Sequence, residues 1–143
     1  MYTIITKNYI VIGENMQFKK YYISDSEGKS NCVIRTCCKL FNEEYFNVKK
    51  ELSDVASKLG YDNYTEVDVF ESYLYNKDYS CIDCIPDIKI RNLELPIGKY
   101  AIFCYDKKNF YHMISIIDNV IYDRSDDCLD LFVIKVYKKD DRK

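Results

Sequence analysis

The sequence has no surplus of charge: 21 basic against 23 acidic side chains leave −2 over 143 residues. A chain this close to neutral lacks the electrostatic footprint of a nucleic-acid or anionic-membrane binder, so a protein, peptide or small molecule is the expected partner. No apolar run is long enough to span a bilayer, and residues 1–7 have neither the basic nor the apolar region of a secretory signal. A cytoplasmic location is therefore expected. Histidine is nearly missing, since His112 is the only one. Cys81-Ile82-Asp83-Cys84 has the spacing of half a zinc site, but no second closely spaced Cys or His pair accompanies it. Cys37, Cys38, Cys104 and Cys128 are the remaining thiols that could complete a site, and adjacent cysteines on a helix point about 100° apart. Loop packing or a redox-sensitive pair is the rival reading of Cys81 and Cys84, and no cofactor is called for. Seven cysteines without an export signal do not make a disulfide framework.

What is present suits one domain spanning 1–143, with 48% apolar and 15% aromatic residues to build a core. Tyr2–Ile5 and Tyr9–Ile12 read as short strands turning at Lys7-Asn8, so residues 1–30 are expected to form an added hairpin and loop. Val33/Ile34, Cys37/Cys38 and Phe41 recur at helical spacing as one buried stripe. The polar run from Ser24 to Asn31 before them places the start of that helix at about Asn31. Asn42 is the expected N-cap of a second helix with Tyr45, Val48, Leu52, Val55, Ala56 and Leu59 on one face and Gly60 at its end. A third begins at Thr65 and buries Val67, Phe70 and Leu74, with acidic residues 66, 68 and 71 on its solvated face. Tyr75 to Leu95 reads as irregular. Strands are then expected over Tyr100–Tyr105, Tyr111–Ile117, Val120–Tyr122 or a little beyond, and Leu131–Tyr137, with residues 138–143 as a charged tail. Helices followed by strands make an α+β chain with an N-terminal helical part and a C-terminal antiparallel sheet.

The chemistry centres on three residues. Cys32 sits at a helix N-terminus, where unpaired N–H groups and the helix dipole favour a thiolate. An isolated cysteine there would ordinarily be a small core residue, and a lone histidine an ordinary surface residue. Asp118-Asn119 changes the balance, because it reads as a two-residue hairpin turn. Ile117 then pairs with Val120, Asp123 lies opposite Ile114, and His112 and Asp123 become diagonal neighbours on one face. A carboxylate on one ring nitrogen leaves the other free to serve a thiol. A three-residue loop would put the acid on the opposite face.

Asn31-Cys-Val-Ile-Arg-Thr36, Tyr45-Phe-Asn-Val48 and Tyr111-His-Met-Ile-Ser-Ile-Ile-Asp-Asn-Val-Ile-Tyr-Asp123 resemble small papain-like cysteine peptidases of phages and low-GC bacteria. Members of that group resemble DCVIRAL near the start and GHxxxIIDGxIYDTWD near the end. The resemblance implies a papain-like fold with Cys32 as nucleophile, His112 as general base and then acid, and Asp123 as orienter. Tyr111 stands where glycine is expected, and Arg124-Ser125-Asp126 replaces Thr-Trp-Asp. The upstream glutamine usual in papain-like enzymes is absent at Ser26, which leaves Gln17 and Asn31 as oxyanion candidates. Specificity would come from loops, the stretch from Tyr75 to Leu95 being the expected source. The alternative is a non-catalytic protein-binding module on the same fold, such as a phage-encoded effector or inhibitor. A zinc-stabilised interaction domain around Cys81 and Cys84 ranks third.

Overall fold

A computed structural model describes residues 3–6, 9–12, 16–23 and 31–141. The expected turns at Lys7-Asn8 and at 13–15, the loop over 24–30 and the end of the tail at 142–143 lie outside the described residues. The architecture is α+β. Among the described residues three α-helices, α1 (Cys32–Phe41), α2 (Tyr45–Leu59) and α3 (Val67–Asn76), accompany eight strands. The strands are β1 (Thr3–Thr6), β2 (Tyr9–Ile12), β3 (Met16–Lys20), β4 (Tyr79–Ile82), β5 (Lys99–Tyr105), β6 (Tyr111–Ile117), β7 (Val120–Asp123) and β8 (Phe132–Lys139).

The helices form where the apolar spacing demands, but their ends are set by backbone geometry. Asn42 does not open α2. It closes α1 in the left-handed conformation at φ 56°, which asparagine tolerates, and its N–H returns to the Cys38 carbonyl. Glu44 is the N-cap of α2 instead. Val48, Leu52 and Ala56, four residues apart, bury its inner face. Gly60, at φ 84°, stops the helix with Tyr61 N–H reaching back to the Ala56 carbonyl. Thr65 makes an Asx-type turn with Asn63 rather than a cap, so α3 starts at Val67 behind Glu66. Helix α1 is buried nearly all round rather than along one stripe: Val33 through Cys38 and Leu40 are all inaccessible, because the helix is enclosed by the sheet on one side and α2 on the other.

The sheet has the order β1-β2-β3-β7-β6-β5-β8-β4. It is mixed, not purely antiparallel: β3 enters beside β7 in parallel, Phe18 against Ile121, while the other pairings are antiparallel. Residues 3–20 thus supply three strands added to the β7 edge. At the other end β8 continues through Lys139, paired with Tyr79 of β4, and Asp140 N–H bonds to Asp78. The expected tail is therefore ordered structure as far as Asp140. Alternation along the strands sends Ala101, Met113 and Tyr137 into the core under the helices. Ile102, Ile114, Ile116 and Ile121 enter a second core, which the 84–95 and 126–131 segments cover from the far side. Glu71, read from the sequence as solvated, accepts hydrogen bonds from Lys135 at 3.0 Å and Tyr137 at 2.8 Å and so ties α3 to β8.

Candidate active site

The turn at Asp118-Asn119 has two residues, both with positive φ (48° and 67°), and Ile117 pairs with Val120. These angles define a mirror-image turn whose twist matches that of the flanking strands. Alternation then carries His112 along β6 and Asp123 along β7 to the same face, and His112 Nε2 stands 2.7 Å from Asp123 Oδ2. Both are largely withdrawn from water, with side chains 14% and 4% exposed. The β5–β8 pairing carries an irregularity between Phe103 and Cys104, and Cys104 lies opposite His112. A bulge beside the histidine is the kind of local distortion that re-aims side chains at the end of a sheet.

Cys32 is the first residue of α1. Its backbone N–H and the next two have no partner within the helix, so the thiol lies in a positive field. Burial by itself would raise the thiol, but hydrogen bonding and charge from His112, with help from the Met113 N–H and the Arg35 charge, leave it below its ordinary value. The Met113 N–H is placed for this because β6 runs past the last β7 pair, Ser115 with Tyr122. Burial would likewise depress His112, yet the hydrogen bonds and charges of Asp123 and Cys32 lift it to about 9. The two shifts favour a thiolate–imidazolium pair. Burial raises Cys37, Cys81, Cys84, Cys104 and Cys128 instead. Asp123 stays below the usual carboxylate range: burial opposes its charge, and His112, the Arg124 N–H and Arg35 more than compensate.

Arg35 has no assigned role in the sequence reading. Its Nη2 lies 3.2 Å from Asp123 Oδ1, and both side chains are almost fully enclosed. The signal that could have found it is a cation three residues after the cysteine, between the apolar Val33-Ile34 and Cys37-Cys38 pairs of the buried stripe.

The oxyanion candidates fare differently. Gln17 alternates with the buried Met16 and Phe18 and pairs with Val120, so it faces away from the side of the sheet that carries Asp123 and does not line the cleft. Asn31 does adjoin Cys32, but its side chain does not cap α1. Its amide donates to the Tyr45 hydroxyl at 3.0 Å and accepts from Tyr64 at 2.9 Å. The donors remaining beside the thiol are backbone N–H groups. Among the described residues, no group of three Cys, His, Asp or Glu side chains could hold a metal ion, so Cys81 and Cys84 have no further ligand.

The three residues open onto a cleft of about 770 Å³. Phe70, Phe103, Phe110, Tyr111 and Leu131 form its apolar lining, with Arg124, Ser125 and Asp127 at the polar side. None of residues 75–95 lines it, contrary to the expectation for specificity. Tyr111, in place of glycine, stacks between Phe103 and Tyr105, and Phe110 stacks on His112 at 5.6 Å.

Compared with known protein families, curated proteins and solved structures, the chain matches none. Among the described residues no helix is long and apolar enough to cross a membrane.

Proposed function

We propose that the chain is a papain-like cysteine hydrolase acting on a peptide or isopeptide bond. The observation that carries this reading is the arrangement itself: Cys32 opens α1 and lines one cleft with His112, whose Nε2 lies 2.7 Å from the buried Asp123 carboxylate, and in that setting the Cys32 thiol is shifted down while the other cysteines with a resolved shift are shifted up. An apolar packing cysteine would move up with the others.

Asp123 holds His112 through Nε2 and leaves Nδ1 for the sulfur. The Cys32 thiolate attacks the carbonyl carbon, and the N–H groups at the start of α1 face the developing oxyanion. The imidazolium gives its proton to the departing amine, leaving a thioester. Neutral His112 then takes a proton from water, whose oxygen attacks the thioester carbonyl and returns the thiolate. The aromatic lining, Phe70 and Phe103 with the exposed rings of Phe110 and Tyr111, suits a peptide with bulky apolar side chains near the bond that breaks.

One observation favours a second reading, a non-catalytic binding module on the same fold. Neither Gln17 nor Asn31 lines the cleft, and the Asn31 amide is held by Tyr45 and Tyr64. Limiting iodoacetamide followed by peptide mapping separates the two. Preferential modification of Cys32 that disappears in His112→Ala supports the hydrolase; slow modification spread over all the cysteines favours the binding module.

A further inference from the structure

Arg35 is a cation inside a helix whose every other side is packed. Its side chain is 5% exposed and lies three residues after Cys32, on the same face and one turn deeper. Withdrawing a guanidinium from water is costly, and it persists where an anion of fixed position meets it. Here the anion is Asp123, and its two oxygens are divided. Oδ2 meets His112 Nε2 at 2.7 Å, and Oδ1 accepts from Arg35 Nη2 at 3.2 Å. Cys32 on α1 and His112 on β6 line one cleft and act on each other electrostatically, and the contacts run on from His112 to Asp123 on β7 and back to α1 through Arg35.

This closure has a physical consequence. A carboxylate held through one oxygen can rotate about its own bond and release its partner; one held through both cannot do so without breaking a buried ion pair. The helix that carries the nucleophile is also the helix that holds the acid, so a shift of α1 against the sheet strains both ends together. We propose that Arg35 is a positioning residue of the site: it fixes the rotation of the Asp123 carboxylate and ties it to the nucleophile helix, keeping the His112 ring aimed at Cys32.

The other ionisable groups that face Asp123 do not substitute for this role. Cys128, from the 126–130 turn, and Cys104, from β5, are both raised by burial and by the carboxylate itself, so they remain neutral thiols. Arg124 reaches the carboxylate through its backbone N–H. The Arg35 charge also acts on Cys32 as well as on Asp123, which places the guanidinium within range of both ends of the constellation.

The inference rests on the cysteine-hydrolase reading, but it can be measured apart from it because the chain has a single histidine. The His112 ring signals are titrated by NMR in the wild type, Arg35→Met and Arg35→Lys, and iodoacetamide labelling of Cys32 is followed in the same proteins. In Arg35→Met the His112 midpoint falls toward that of a free imidazole and labelling of Cys32 at neutral pH drops at least about tenfold. Lysine keeps the charge without the planar fork, so Arg35→Lys falls between the two. A folded Arg35→Met protein with the wild-type midpoint and labelling rate overturns the proposal, since a purely structural arginine would change stability alone. Should Arg35→Met fail to fold, Arg35→Lys decides by the same two readings, and unchanged values overturn it. If wild-type Cys32 proves unreactive, the hydrolase reading fails while the His112 midpoint still reports on Arg35.

Discussion

Asp123 Oδ2 and His112 Nε2 meet at 2.7 Å beyond the last pair of the β6–β7 ladder, Ser115 with Tyr122. The hairpin sets the face and register of the two side chains, while the end of the β6–β7 ladder frees the Met113 N–H for Cys32. One local feature, a two-residue turn, therefore arranges both neighbours of the imidazole.

That dependence can be tested on the turn itself. Inserting one glycine between Asp118 and Asn119 shifts the β7 register by a residue and sends Asp123 to the opposite face. Ile121 leaves the far-side core at the same time. The expected outcome is loss of selective Cys32 labelling together with a fall in midpoint on urea unfolding. Labelling at the wild-type rate would show that the hairpin register does not place the acid.

Thiol reactivity should separate by pH. Cys32 is shifted down and is expected to be alkylated at about pH 6, where an ordinary thiol is almost entirely protonated. Cys37, Cys104 and Cys128, buried and shifted up, should stay silent there. Intact-mass analysis showing one adduct, mapped to Cys32, meets the expectation; several adducts, or one elsewhere, does not.

Asp123→Asn leaves His112 with an amide partner and removes the carboxylate charge beside Arg35. Reactivity of Cys32 is expected to fall by about 10²-fold, because the imidazole loses its fixed tautomer. Stability is expected to fall as well, by about 1–3 kcal/mol, because the buried Arg35 charge exchanges a carboxylate for a neutral amide oxygen. The labelling rate and urea unfolding of the same sample check both, and a variant as stable as wild type would mean that the Arg35 pair is not buried in solution.

The pH dependence of stability has opposing contributions. A histidine raised in the folded state stabilises fully below its unfolded value of 6.5, and that stabilisation is lost as pH rises through about 9. Cys32, lowered, contributes fully above its unfolded value of 9.0 and loses this as pH falls through its folded value. Between the folded Cys32 value and about 9 the two slopes oppose each other. Removing the thiol in Cys32→Ala leaves the His112–Asp123 contribution alone. Urea unfolding of that variant should then show stability decreasing as pH rises above 6.5, through the raised His112 value. A flat profile would mean that Asp123 does not hold the imidazolium.

The sequence by itself determined what short-range periodicity and turn chemistry control. The start of α1 at Cys32 follows from the polar run before it, and the meeting of His112 with Asp123 follows from a side-chain period of two and a two-residue turn. Tertiary structure decided what depends on partners far along the chain. Asn42 is a plausible cap in either direction, and only the packing of α2 against α1 makes it an ending. The parallel entry of β3 beside β7 set the face of Gln17, since a pairing about a hundred residues apart leaves no local pattern. Tyr45 and Tyr64 claimed the Asn31 amide from outside its own helix. Lys138 and Lys139 read as tail because charged residues favour solvent, yet β4 and β5 supply the backbone partners that extend β8 through them. Arg35 was visible as a residue but not as a contact: its role depends on an anion 88 residues away that folding brings to 3.2 Å, and side-chain spacing within one helix carries no record of that.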